Sequence, residues 1–268
     1  MKVPDAVEGY SRYRAAGVDL PWPVYRRGDG PAIILIHELI GLTPEVIKFA
    51  DRVCEAGYTV YLPVLFGAVP ADTKLRQTLA AARCCISREI NLLAAGKTSR
   101  VVTPLRQLAD AVANPQVGVI GMCATGGFAL ALASASPTRL AVAAQPALPM
   151  PVNPECARDV GLSPSDVEAL GARLSAGEVE IYVARFSADK KSPATRIEAL
   201  QERVGTKGVH QKVIPSGPGT PFDAKAHSVL SVAPTEYPSG DAHDQLETAI
   251  QEVIDFLGRL RPGAAPTG

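Results

Sequence analysis

The chain of 268 residues is 47% hydrophobic and 20% charged, enough apolar material for the core of one α/β domain spanning residues 1–268. Lysine plus arginine and aspartate plus glutamate both total 27, so the formal net charge is zero. That balance argues against a protein built to hold nucleic acid or an anionic membrane, where a basic excess supplies the attraction.

The opening residues, Met-Lys-Val-Pro-Asp-Ala-Val-Glu-Gly, lack the continuous apolar core of a signal peptide, and no apolar run approaches the roughly 18 residues of a membrane span. Short apolar runs then predict buried parallel strands at Ala32–His37, Thr59–Leu62, Val117–Gly121, Leu140–Ala144, Val179–Ala184 and His210–Ile214. Between them, helical spacing predicts a first helix from Thr43 (N-cap, with Pro44 following) to about Ala56. Further helices are expected over Leu75–Leu93, Ser99–Ala113, Gly126–Ala135, Pro193–Val204 and Ala242–Leu260. The stretch 146–177 is long for a connection and contains the helix start Ser163-Pro-Ser-Asp, so it reads as a helical insertion. The residues from about 261 to 268 are expected to fray. Strict alternation of strand and helix implies a mostly parallel sheet with helices on both faces, a three-layer α/β architecture.

The predicted strand Val117–Gly121 runs into Gly-Met-Cys-Ala-Thr-Gly-Gly (121–127) and then a helix. A sharp strand–turn–helix with glycine before and after a central nucleophile is a nucleophile elbow, and Cys123 stands at its centre. The helix beyond aims its positive end at the sulfur, which favours thiolate. The usual elbow has glycine two residues after the nucleophile; Thr125 holds that place, and Gly126-Gly127 come one later. In such folds one oxyanion-binding amide follows the nucleophile and the other comes from an earlier strand end. By position these are Ala124 and Leu39, the latter in His37-Glu38-Leu39-Ile40-Gly41, where Glu38 stands within reach of the thiol. The acid and base should follow in chain order. Asp189, after the strand ending near Ala184, and His227, between the last strand and last helix, fit; His243 and Asp223 are reserves.

Ile33-Ile-Leu-Ile-His-Glu-Leu-Ile-Gly, the cysteine elbow, the Asp189 loop and Ala-His227-Ser together resemble the dienelactone hydrolase family, over about residues 23–260. The resemblance implies an α/β-hydrolase fold that cleaves small esters or lactones without metal or organic cofactor. It makes Cys123 the nucleophile, His227 the base, Asp189 its orienting acid and Glu38 a carboxylate that contacts the thiol and helps to activate it when substrate arrives. Thr125 resembles a divergent branch. Lactone-cleaving members also carry a carboxylate-binding arginine four residues after the histidine, where this chain has Ser231, with Arg76 or Arg83 as candidates for a second. The substrate is therefore expected to be a small ester or lactone of unassigned identity, bound by a monomer or homodimer.

Five cysteines, an odd number without Cys-x-x-Cys or a Cys/His cluster, predict reduced thiols in a cytoplasmic protein and no zinc site. Cys54 and the pair Cys84-Cys85 fall on predicted helices, where core packing explains them; Cys156 is uninformative. Two competing readings are a non-catalytic ligand-binding module on the same fold and a redox-sensing Cys123.

Overall fold

A computed structural model describes residues 7–39, 41–65, 95–232, 236–261 and 263. The expected helix Leu75–Leu93, with Arg76, Arg83, Cys84 and Cys85, and most of the expected frayed tail lie outside the described residues. Eight strands, β1 (Ser11–Tyr13), β2 (Val24–Arg27), β3 (Ala32–Ile36), β4 (Thr59–Pro63), β5 (Val117–Met122), β6 (Thr138–Ala144), β7 (Glu180–Phe186) and β8 (Val209–Ile214), form one sheet. Their order is β1-β2-β4-β3-β5-β6-β7-β8. The six predicted runs are β3 to β8, all parallel to one another. Sequence reading did not anticipate β1 and β2, which add antiparallel to the β4 edge. β1 is only Ser-Arg-Tyr and largely exposed, and β2 ends in two half-exposed arginines, so neither carries an apolar run.

Seven helices are described: α1 (Pro44–Glu55), α2 (Val102–Val112), α3 (Gly126–Ala133), α4 (Pro154–Arg158), α5 (Pro164–Ala176), α6 (Ala194–Val204) and α7 (Asp241–Leu257). Thr43 caps α1 as expected, its hydroxyl accepting the Val46 amide at 3.3 Å, with proline in the first turn. The strand pleat divides the core. Ile33 and Leu35 of β3 face a layer with Val46, Phe49 and Val53 of α1 and Leu246, Ile250 and Val253 of α7. Ile34 and Ile36 face the opposite way, toward α2, α3, α5 and α6. Every residue of β3 is buried because both faces of the sheet are covered, which explains why the central strands read as unbroken apolar runs.

The 146–177 stretch carries α4 and α5, the latter capped by Ser163. Parallel neighbours cannot be joined by a tight turn, and α5 is the crossover that the β6–β7 pairing needs. Leu170 and Leu174 pack it into the α3-side layer, and Asp166 fastens it to Arg106 of α2 at 2.6 Å.

Candidate active site

The carboxyl ends of the parallel strands converge. Glu38 follows β3, Cys123 follows β5, Asp189 lies beyond β7, and His227 sits between β8 and α7. This is the edge where open parallel sheets place ligands. Cys123 opens a short 3₁₀ turn (Cys123–Thr125) with φ 56°, a left-handed backbone that costs a non-glycine residue about 1–3 kcal/mol. The strain is held on both sides. The Ala147 amide donates to the Cys123 carbonyl at 3.0 Å, and α3 follows without a break.

The shifted glycines now have a physical reason. A Cβ on Gly121 would stand 2.2 Å from the Thr125 carbonyl oxygen, and one on Gly127 would stand 2.4 Å from the Val160 carbonyl oxygen. Thr125 itself needs its side chain. Its hydroxyl accepts the Met122 amide at 2.9 Å and lies 3.0 Å from the carbonyl oxygens of Ile36 and Met122. The place that usually holds glycine thus ties the turn to the end of β3.

Around the sulfur the geometry is compact. His227 Nε2 stands 3.1 Å from Cys123 Sγ, and His227 Nδ1 stands 2.7 Å from Asp189 Oδ2. Asp189 accepts only, so Nδ1 carries the ring proton and Nε2 is left to accept from the thiol. Burial would raise the Asp189 carboxyl. The His227 hydrogen bond and charge, with the amides of Lys191 and Ser192, outweigh it and hold the carboxyl below its ordinary value. The reserve candidates go elsewhere: Asp223 Oδ1 accepts the Lys225 amide at 2.7 Å, and His243 Nδ1 faces the Tyr237 carbonyl at 3.2 Å.

Glu38 is 6% exposed, and its hydrogen bonds do not run to the sulfur. Its carboxylate accepts from Gln145 Nε2 (3.0 Å), Ser228 Oγ (3.1 Å) and Ser231 Oγ (2.8 Å). Cys123 feels Glu38 as a charge. Burial first and the Glu38 charge second push the thiol up to about 12, against the Ala124 amide and Lys191, which pull the other way. Burial and the Glu38 charge thus oppose the thiolate that the helix end was expected to favour. The help expected from the following helix reaches the sulfur through the Ala124 amide and is outweighed.

Four residues around this centre were not singled out for these roles from sequence. His37 is fully buried, and burial pushes it down to about 4. Its Nε2 accepts the Leu65 amide at 3.1 Å, so Nδ1–H donates to the Glu38 carbonyl at 2.7 Å and fixes the loop after β3. Gln145, Ser228 and Ser231 form the Glu38 cage. A polar residue closing a buried apolar run, as Gln145 closes Ala-Val-Ala-Ala, was the available signal. Among the described residues no cluster of histidine, cysteine or carboxylate side chains could hold a metal ion, and no helix is long and apolar enough to cross a membrane.

A mostly parallel eight-stranded sheet, helices on both faces and a strained strand–helix elbow at the carboxyl edge together define the three-layer α/β-hydrolase fold. The chain belongs to the dienelactone hydrolase family, whose model matches residues 23–259, and that places it among hydrolases. Solved structures with the same fold include a Klebsiella pneumoniae protein that carries the dienelactone hydrolase name (14% identity, TM-score 0.61, covering 93% of this chain and 98% of that one). A dienelactone hydrolase-like promiscuous phosphotriesterase from metagenomic libraries is similar at 16% identity (TM-score 0.58, covering 92% and 96%). So is the carboxylesterase Cest-2923 of Lactobacillus plantarum, at 11% identity (TM-score 0.59, covering 95% and 99%). At these identities the likeness is one of fold. No curated protein sequence matches the chain.

Proposed function

We propose that the protein hydrolyses a small ester or lactone through Cys123 as nucleophile, His227 as base and Asp189 as the acid that orients it. The observation that carries this reading is the unbroken relay from Asp189 through His227 to the sulfur, with contacts of 2.7 and 3.1 Å. In the first step the S–H proton moves to His227 Nε2 as the sulfur attacks the carbonyl carbon. The carbonyl electrons form an oxyanion, received by the backbone amides of Leu39 and Ala124. Collapse breaks the carbon–oxygen bond, the leaving alkoxide takes the proton from His227, and a thioester remains on Cys123. Water then attacks the thioester while His227 takes its proton, and the thiol leaves with that proton as the acid product forms. Each step uses only these groups and water.

A thiol with a raised pKa suits this scheme. Ionisation is coupled to proton transfer within the pair, and a more basic sulfur is intrinsically the stronger nucleophile. Glu38 disfavours an isolated thiolate but favours the imidazolium formed beside it, so its charge ties sulfur ionisation to His227 protonation. The test is hydrolysis of p-nitrophenyl acetate. Cys123→Ala should lower kcat/KM by about 10³-fold or more, and Cys123→Ser should retain a small fraction. Full activity in the alanine variant would remove the nucleophile assignment. Ligand-induced stabilisation without turnover of any ester or lactone would support a binding module instead.

A further inference from the structure

We propose that Gln145 is a positioning residue that locks the Glu38 loop to the loop carrying His227, so that both reach Cys123 in one geometry. The inference rests on the hydrolytic reading above. Gln145 directly follows β6, is fully buried, and has φ 39°, a left-handed conformation that a residue with a Cβ rarely adopts. Its backbone amide extends the β6–β7 pairing by donating to the Ala184 carbonyl at 2.6 Å. That anchors the residue to the sheet and turns its side chain across the strand ends.

The side-chain amide then spans two loops that are distant in sequence. Nε2 donates to Glu38 Oε1 at 3.0 Å, and Oε1 accepts the Val229 amide at 3.2 Å, two residues beyond His227. The partners leave one orientation. A carboxylate only accepts, so the NH₂ group must face Glu38; a backbone N–H only donates, so the carbonyl must face Val229. Ser228 and Ser231, from the same loop as His227, also donate to Glu38, so loop and carboxylate are held as a unit. A residue in an unfavourable backbone conformation, with both ends of its amide satisfied by the two loops that frame the sulfur, is over-determined in this position. No methionine or leucine of similar size can bridge a donor and an acceptor.

Gln145→Met keeps the volume and removes the bridge. It is expected to lower kcat for p-nitrophenyl acetate by about 10- to 100-fold, the effect of an ångström-scale misplacement, with KM within about threefold. In a Glu38→Gln background the same change should cost much less, because the group it positions is already altered. Wild-type kcat in Gln145→Met, or an undiminished loss in the double variant, would overturn the proposal.

Gln145→Glu covers the case in which the methionine variant does not fold. It still accepts from Val229 but sets a second carboxylate against Glu38. Among the described residues, His37, Cys123, Arg185, Asp189, Lys191, Arg196 and His227 are further titratable or charged groups near these strand ends. The kcat deficit of this variant relative to wild type should shrink from pH 8 toward pH 5.5, as the two carboxylates come to share a proton. A deficit constant with pH would contradict the bridge. Cys123→Ala run alongside separates the two readings: if it stays active, the hydrolytic scheme fails; if it is inactive while the Gln145 variants are normal, only this inference fails.

Discussion

The two ends of the parallel sheet each hold a glutamate beside a histidine, buried for Glu38 and partly buried for Glu180, and they handle the charge in opposite ways. At the amino end, Glu180 at the start of β7 accepts from Arg139 at 3.0 Å, from Arg259, and lies 2.9 Å from His210 Nε2. Burial would raise its carboxyl. The His210 hydrogen bond and the two arginines outweigh that and hold it below its ordinary value. At the carboxyl end, Glu38 meets neutral donors from Gln145, Ser228 and Ser231, and its charge is felt by the Cys123 thiol instead of being cancelled by them. Cancelled charge makes a clasp between β6, β7, β8 and the residues after α7. Charge left uncancelled beside a thiol is the environment the proposed reaction calls for.

The largest effects should come from the relay at the carboxyl end. Asp189→Asn replaces an acceptor-only carboxylate by an amide that can also donate, so it no longer fixes the His227 proton on Nδ1, and His227→Gln removes the proposed base. Each should lower kcat/KM for p-nitrophenyl acetate by about 10²- to 10⁴-fold while circular dichroism stays native. A loss below tenfold in either would break the relay. Glu38→Gln probes the charge itself. Because the like charge raises the thiol, removing it should shift the pH profile of Cys123 alkylation by iodoacetamide to lower pH. An unmoved midpoint would mean that burial alone sets the thiol and that the contrast between the two ends is empty.

The smallest effect is expected at the amino end. Glu180→Gln should leave kcat/KM within about twofold and cost about 2 kcal/mol of stability at pH 7, the scale of hydrogen bonds to a charged group. The sign follows from the lowered carboxyl pKa. The stabilisation is present above the ordinary carboxylate range near 4.3 and is lost as pH falls through the lower folded value. The difference in Tm between wild type and variant should therefore narrow below about pH 4. A large loss of activity with unchanged Tm would reverse the roles assigned to the two ends.

The sequence made the central strands and the order of the candidate site readable for a common reason. β3 to β7 lie between covered faces, so burial writes itself as apolar runs, and loops at the strand ends carry the polar residues in chain order. β1 and β2 escaped because an exposed antiparallel edge leaves no such record. Cys123, Asp189 and His227 could be nominated because an elbow needs glycines near it. The role of Thr125 could not, since the Ile36 carbonyl it reaches is 89 residues away. The balance of influences on the sulfur was not legible for the same kind of reason. A helix end is visible in sequence, but the burial and the Glu38 charge that outweigh it exist only after folding.

The most direct test of the central claim is mass spectrometry of enzyme quenched during turnover of p-nitrophenyl acetate. The account predicts an acetyl group on the peptide containing Cys123, released by neutral hydroxylamine as a thioester is, and absent from Cys123→Ala. Steady turnover with no acetylated Cys123, or acetylation that persists on another residue in Cys123→Ala, would contradict it.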